Sequence, residues 1–502
     1  MKILLLLLPI FPVTSMMFSQ NKTGIFDKTQ DIGAVKHPGK ADYYRESQSY
    51  RLSGSGENIW FDKDEFHFAS KSVAGDFILQ ARGKFIGKGV DPHRKFGWMV
   101  RSSHETNAPM VCAAVHGDGL AAIQYRKNAG GNIEEVKSPV KMPDVIHLER
   151  KGSSFFLSVA RFGEPFWTVE VPDIPLPEKV SAGLFVCAHN KDAVESAEFE
   201  NVRIVFPAKD NLRAYEEYIG SHIEIMNVAT GNRKIVHSAP NSLQAPNWLP
   251  DNSGLLFNSE GLIFRFGLKS GQVIELNTGT IRQNNNDHVI SFDGKMLGLS
   301  SASGEPEFGS LIYIVPIAGG TPKRVTPIGP SYLHGWSPDG KWLTYTGGRN
   351  NEYDIYKIST KGGKEIRLTA TPGLDDGSEY SPDGKFIYFN SVRTGSMEIW
   401  RMKPNGNNLE QLTDDEYQNW FPHISPDGNW IVFLSYMPEV NAGDHPFYKR
   451  VYLRLMPVPG QGKISKPKVI AYLYGGQGTI NTPSWSPDSK RIAFVSNTEI
   501  KD

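Results

Sequence analysis

The sequence predicts an all-β protein, an N-terminal β-sandwich followed by a six-bladed β-propeller with strand-exchange closure. Three observations carry that expectation. The tetrapeptide Ser-Pro-Asp-Gly recurs at Ser337, Ser381 and Ser425, with degenerate copies at Leu249, Ser291 and Ser486. Successive copies lie 42, 46, 44, 44 and 61 residues apart, the period of a four-stranded blade with one insertion. Residues 55–205 lack the repeat but alternate apolar and polar residues in short runs between turn signals, as sandwich strands do.

Taken in chain order, the first element is a leader. Lys2 precedes the apolar run Ile3 to Val13, then small and polar residues. That run is too short to span a bilayer and reads as a secretory signal cleaved near Ser19 or Gln20. No Cys follows it and no later stretch reaches 18 apolar residues, so the expectation is a periplasmic or secreted protein with neither lipid anchor nor membrane span. The boundaries follow as 1–20 signal peptide, 21–206 sandwich, 207–220 linker and 221–502 propeller. The linker is polar, with one helical turn expected around Leu212 to Tyr215.

The sandwich strands include Phe77 to Arg82, Phe96 to Arg101, Ile146 to Arg150 and Phe155 to Val159, with turns at Gly117-Asp118-Gly119, Gly130-Gly131 and Lys151-Gly152. The phrases Gly97-Trp98-Met99-Val100-Arg101, Leu148-Glu149-Arg150, Gly183-Leu184-Phe185 and Phe199-Glu200-Asn201-Val202 resemble concanavalin-like jelly-roll domains, which implies a companion of carbohydrate-active proteins. The two cysteines, Cys112 and Cys187, sit in apolar runs, either as buried thiols or as one bridge between strands. Two thiols are too few for a disulfide framework or a Cys-based zinc site.

In each repeat a bulky residue precedes the tetrapeptide, Pro and Gly set the turn, and a β-run follows, such as Lys341 to Tyr345. The last unit has only two strands. The missing pair is expected upstream, at Ile223 to Val228 and Arg233 to Val236, closing the ring and removing free edges. Over residues 215–500 this pattern resembles the Tol-B-protein β-propellers with WD40-like repeats. The resemblance implies a binding ring that engages envelope proteins and says little about chemistry.

The tetrapeptide turns all lie on one propeller face, so the segments entering each inner strand lie on the other, around the mouth. There the sequence places Gln244, Asp287, His288, His334, Trp336, Glu379, Trp420 and His423. Arg349, Asn350 and Arg393 fall on outer loops of the same face, with His445 and Tyr448 on the insertion. His334, His423 and Glu379 are the candidate catalytic acid–base groups. Asp287, Trp336, Arg349, Asn350, Arg393, Trp420, His445 and Tyr448 are candidate substrate contacts. His288, His334, His423 and Glu379 could together hold a divalent ion, Mn, Zn or Ca. Oligogalacturonate lyases resemble this propeller, which implies a histidine-rich metal site. Alternatively, the same histidines join neighbouring blades.

Lys+Arg and Asp+Glu both number 54, so the net charge is zero and a nucleic-acid partner is not expected. No nucleophile elbow, phosphate loop or zincin helix occurs. The resulting expectation is a saccharide ligand at the mouth, bound and cleaved by lyase or hydrolase chemistry. The alternative is a non-catalytic scaffold of the Tol type, with a peptide there.

Overall fold

The computed structural model describes residues 23–213, 215–305, 307–460 and 466–500; the segment read as a signal peptide lies outside them. The N-terminal half is two seven-stranded sheets. The first runs Lys28–Ile32, Phe66–Ala74, Lys179–Cys187, Lys95–Arg101, Met110–His116, Ala121–Arg126, Glu134–Lys137. The second runs Trp167–Val171, Ser154–Ala160, Val145–Lys151, Phe77–Ile86, Glu195–Val205, Ser49–Gly54, Lys40–Tyr44. Neighbours pair antiparallel, so period-two alternation sends one set of side chains into a shared core that includes Leu79, Trp98, Ile123, Leu148, Leu184 and Phe199. Cys112 and Cys187 share a smaller cluster as buried free thiols, pushed by burial up to about 12 and about 11. The bridge alternative is not realised.

The C-terminal half is a ring of six blades. Five are four-stranded, opening at Gln244–Trp248, Asn284–Ile290, Ser331–Trp336, Asp375–Tyr380 and Gln418–Ile424. The sixth takes Arg491–Asn497 from the C-terminal end and Ser221–Asn227 with Arg233–Ala239 from upstream; its inner strand is reduced to the Trp485–Ile492 bridge. This is the expected closure, three residues longer at its far end.

The repeated tetrapeptide holds its own turn. In the third blade the Ser337 hydroxyl donates to Asp339 at 2.6 Å, Asp339 accepts the Lys341 amide at 3.1 Å, and Ser337 accepts the Trp342 amide at 2.9 Å. The set repeats at Ser381 and Ser425. Gly340 has φ +69°, where a side chain would be strained. The turn hydrogen bonds, led by Ser337, hold the Asp339 carboxyl down at about 2.

Sandwich and ring meet along blades five and six. Glu224, in the middle of the closing strand, pairs with Arg203 of the sandwich at 2.7 Å and accepts the Ser496 hydroxyl at 2.6 Å. Burial disfavours its charge, yet Arg203 and Arg233 hold its carboxyl down at about 2. Gln48 exchanges two hydrogen bonds with the Ile235 backbone, and Tyr472 donates to the Glu164 carbonyl at 2.6 Å.

Deleting residues 221–236 should bare the outer edge of Arg491–Asn497, remove the Glu224 link to the sandwich and send the protein into aggregates. Size-exclusion chromatography of the deletion checks this. A soluble, cooperatively melting monomer would show that the ring does not need its closing hairpin.

Candidate functional site

Each inner strand contains an irregularity in its pairing with the next strand: between Gln244 and Asn247, Asn284 and His288, Leu333 and Gly335, Asp376 and Glu379, Trp420 and His423. Ala245, Gly377 and Phe421 there have positive φ. A bulge re-aims the side chains on either side of it. Those at or before it, Gln244, Asp287, His334, Asp376 and Phe421, line a funnel on the face opposite the tetrapeptide turns. Those after it, His288, Glu379 and His423, turn into the walls.

The funnel is an open cavity of about 880 Å³. Nine amide side chains line it, among them Asn284, Asn285, Asn286 and Asn481. Six aromatic rings do too: Tyr215, Tyr218, Tyr332, Tyr353, Phe421 and Phe447. No Lys or Arg does so among the described residues. Its buried floor holds a charged group: His334 Nε2 lies 3.0 Å from Asp376 Oδ1, which also accepts the Thr346 hydroxyl at 2.5 Å and the Gly377 amide at 2.8 Å. Burial opposes charge on Asp376, but His334 and then His445 hold it down at about 2. Burial lowers His334, and Asp376 and Asp287 outweigh it, so its net shift is upward. Burial pushes Asp287 up to about 7, with Asp376 adding to the rise and His334 opposing it.

Of the residues expected at the mouth, Gln244, Asp287, His334 and His445 line the funnel. The others have structural positions. His423 Nδ1 is 2.6 Å from Glu379 Oε2 and its Nε2 is 2.5 Å from the Ile480 carbonyl, so one ring joins three blades. Glu379 also accepts the Ile424 amide at 3.1 Å. His288 is fully buried, lowered by burial to about 4, with neither nitrogen in a hydrogen bond of good geometry, although the Leu256 and Asn286 carbonyls lie near. Trp336 donates to the Val289 carbonyl of the preceding blade at 2.9 Å, as Trp485 does to His423. Trp420 is buried edge-on beneath His445, ring centres 4.6 Å apart.

The arginines fold back. Arg349 pairs with Glu365 at 2.6 Å, and Arg393 grips both Asp375 oxygens at 2.9 and 3.0 Å. Asn350 is exposed in a turn at φ 55°. Tyr448 sits at the rim and accepts the Ile219 amide at 3.1 Å, fastening the linker rather than lining the cavity. Of the four expected metal ligands, His288, His334, His423 and Glu379, only His423 and Glu379 meet, as a hydrogen-bonded pair, and among the described residues no three His, Cys, Asp or Glu side chains are placed to hold an ion.

The sequence reading missed Asp376, the amides and the linker tyrosines. Tyr215 and Tyr218 pack edge-on against Phe447 of the blade-five insertion, at 5.3 and 5.6 Å, so linker and insertion meet over the funnel. Two tyrosines in a polar linker, and the run Gln283-Asn284-Asn285-Asn286-Asp287, were the available signals.

His423→Ala should cost about 1–3 kcal/mol in urea unfolding by stranding Glu379, and leave funnel binding intact; loss of binding without loss of stability would contradict the wall assignment. Asp287→Asn should melt higher than the parent at pH 8. The parent carboxyl there carries a charge that burial resists, with a folded value of about 7 against an ordinary 3.8. The difference should close as pH falls below the ordinary value, where the group is protonated in both states; thermal melts across pH check it.

A family profile for the TolB β-propeller domain matches residues 329–442. An uncharacterised Agrobacterium fabrum (strain C58) protein, Atu1656, is 46% identical over 277 residues, 55% of this chain and 92% of that protein. A solved Agrobacterium tumefaciens structure, provisionally named TolB, is 44% identical with a TM-score of 0.53, covering 57% of this chain and all of that one. An oligogalacturonate lyase solved with manganese is 12% identical with a TM-score of 0.34, over 53% of this chain and 72% of that one, too distant to bear on the site. With its Ser-Pro-Asp-Gly repeat, six blades and near-complete coverage of these relatives, the chain belongs to the TolB-like β-propeller family.

Proposed function

We propose that this is an exported binding protein whose funnel holds a neutral, hydroxyl-rich ligand, an oligosaccharide, without cleaving it. The lining carries the reading: nine amides and six aromatic rings with no Lys or Arg among the described residues. Amides donate to and accept from hydroxyls, and ring faces cover the C–H faces of sugars. An anionic uronate chain would meet the Glu260 and Asp376 carboxylates with no Lys or Arg among the described lining residues to offset them. Two of the three candidate acid–base residues, His423 and Glu379, are spent on joining blades, which argues for binding rather than lyase or hydrolase chemistry.

Export rests on Lys2 and the apolar run after it, and no helix among the described residues is long and apolar enough to cross a membrane. The concanavalin-like resemblance of the two-sheet N-terminal unit favours a carbohydrate context. A second reading, an extended segment of an envelope protein in the funnel, is favoured by the 44% identity to the chain provisionally named TolB. Amides pair with peptide groups as readily as with hydroxyls.

Titration calorimetry with cellotetraose, xylotetraose, mannotetraose and oligogalacturonate separates these. At least one neutral sugar should bind and remain intact, oligogalacturonate should not bind, and Tyr332→Ala or Asn285→Ala should weaken binding about tenfold. Cleavage products, or preference for the uronate, would overturn the proposal; no sugar binding would leave the peptide reading.

A further inference from the structure

We propose that the cleft between the second sandwich sheet and blade five is a separate binding site for a neutral pyranose ring. It is a cavity of about 330 Å³, at the small end of the range for small-molecule sites. It shares no lining residue with the funnel.

One wall is a polar row straight across four strands. Gln80 pairs in register with His147, His147 with Ser158, and Ser158 with Thr168. Adjacent strands lie about 4.8 Å apart, so the row presents hydrogen-bonding groups at regular steps along one line. Gln80 accepts Arg233 at 3.0 Å through its oxygen, which leaves its amide N–H group for the cleft. The Ser158 and Thr168 hydroxyls share one bond of 2.8 Å and keep spare lone pairs. His147 is only 7% exposed, and neither ring nitrogen has a hydrogen-bond partner among the described residues. Burial pushes its pKa well down, so it presents one donor and one acceptor. Its ring nitrogens are open to the cleft rather than sealed off, so a ligand hydroxyl can reach them.

A chain of rings runs from the sandwich residue Phe166, beside His147, across to blade five. Phe166 lies 4.7 Å from His147 and 4.5 Å from Tyr472; Tyr452 is 5.5 Å from Tyr472 and 5.7 Å from Tyr417. Tyr472 donates to the Glu164 carbonyl at 2.6 Å, and Tyr452 accepts the Phe166 amide at 3.1 Å, so both rings are held from the sandwich side. Arg450 and Glu149 pair with each other within the cleft. Glu416 and Glu439 also line the cleft, so its charge is net negative and disfavours an anion; hydrogen-bonding groups on one side and ring faces on the other suit an uncharged sugar ring better than an anion or an acyl chain.

The test is saturation-transfer NMR on the full chain with methyl glucoside, methyl galactoside, methyl mannoside and N-acetylglucosamine. At least one should bind, and His147→Leu should weaken it about tenfold, as expected for a lost hydrogen-bonding group. Thr168→Trp, at an exposed position on the cleft edge, should block it without touching the core, and decides the matter if His147→Leu misfolds. The funnel variant Tyr332→Ala should bind the same sugar as the parent does. No binding by any of the four, or binding lost in Tyr332→Ala and kept in Thr168→Trp, would overturn the cleft site. Either result leaves the oligosaccharide titration of the funnel to stand or fall separately.

Discussion

The architecture depends on one strand, Ser221–Asn227, and on one carboxylate within it. The strand pairs on one side with Arg491–Asn497 and on the other with Arg233–Ala239, and so turns an open row of blades into a ring. Glu224 ties that closure to the rest of the molecule through Ser496 in the adjacent strand and Arg203 in the sandwich. Burying a carboxylate is costly unless it is paired and hydrogen-bonded, and Glu224 is both. Ring closure and domain docking therefore share a single buried charge, and neither can be loosened without disturbing the other.

From the closed ring follows the division of labour on its inner strands. After each irregularity the side chains serve the walls: Asn247 accepts the Ile290 amide, as Glu379 accepts that of Ile424. The Trp336 and Trp485 indoles reach back to the preceding blade in the same way. Side chains at or before the irregularity are released to the funnel. The repeat thus supplies a rigid frame from one half of each strand and a variable lining from the other, so a ligand site can change without weakening the frame.

The fold was legible because its signals are local and repeated. Pro and Gly of each tetrapeptide dictate a turn, Asp339 and its equivalents satisfy it, and the two-strand deficit at the C-terminal end points to the hairpin upstream. The site was only partly legible, because distance from the tetrapeptide does not fix which way a side chain faces. His334 stands three residues before its Ser and faces the funnel; His288 stands at the same offset and is buried in the wall. The inserted residue of a bulge shifts the face without leaving a mark in the spacing. Arg349 and Arg393 were misplaced for another reason. A loop position says which face a residue belongs to, but not that Glu365 and Asp375 will draw the guanidinium back against the blade.

The closing strand also sets an order of events during synthesis. Glu224 and the Ser496 that bonds it are 272 residues apart. When the hairpin Ser221–Ala239 leaves the ribosome, five blades have yet to be made, and one of its edges has no partner. Joining the ends of so long a loop is entropically slow, and a bare strand edge in the meantime invites pairing with other chains. The sandwich is complete by then, and its Arg203 and Gln48 already have their hairpin partners, Glu224 and Ile235, within reach. The N-terminal domain is thus placed to hold the first half of the sixth blade until the last strand arrives.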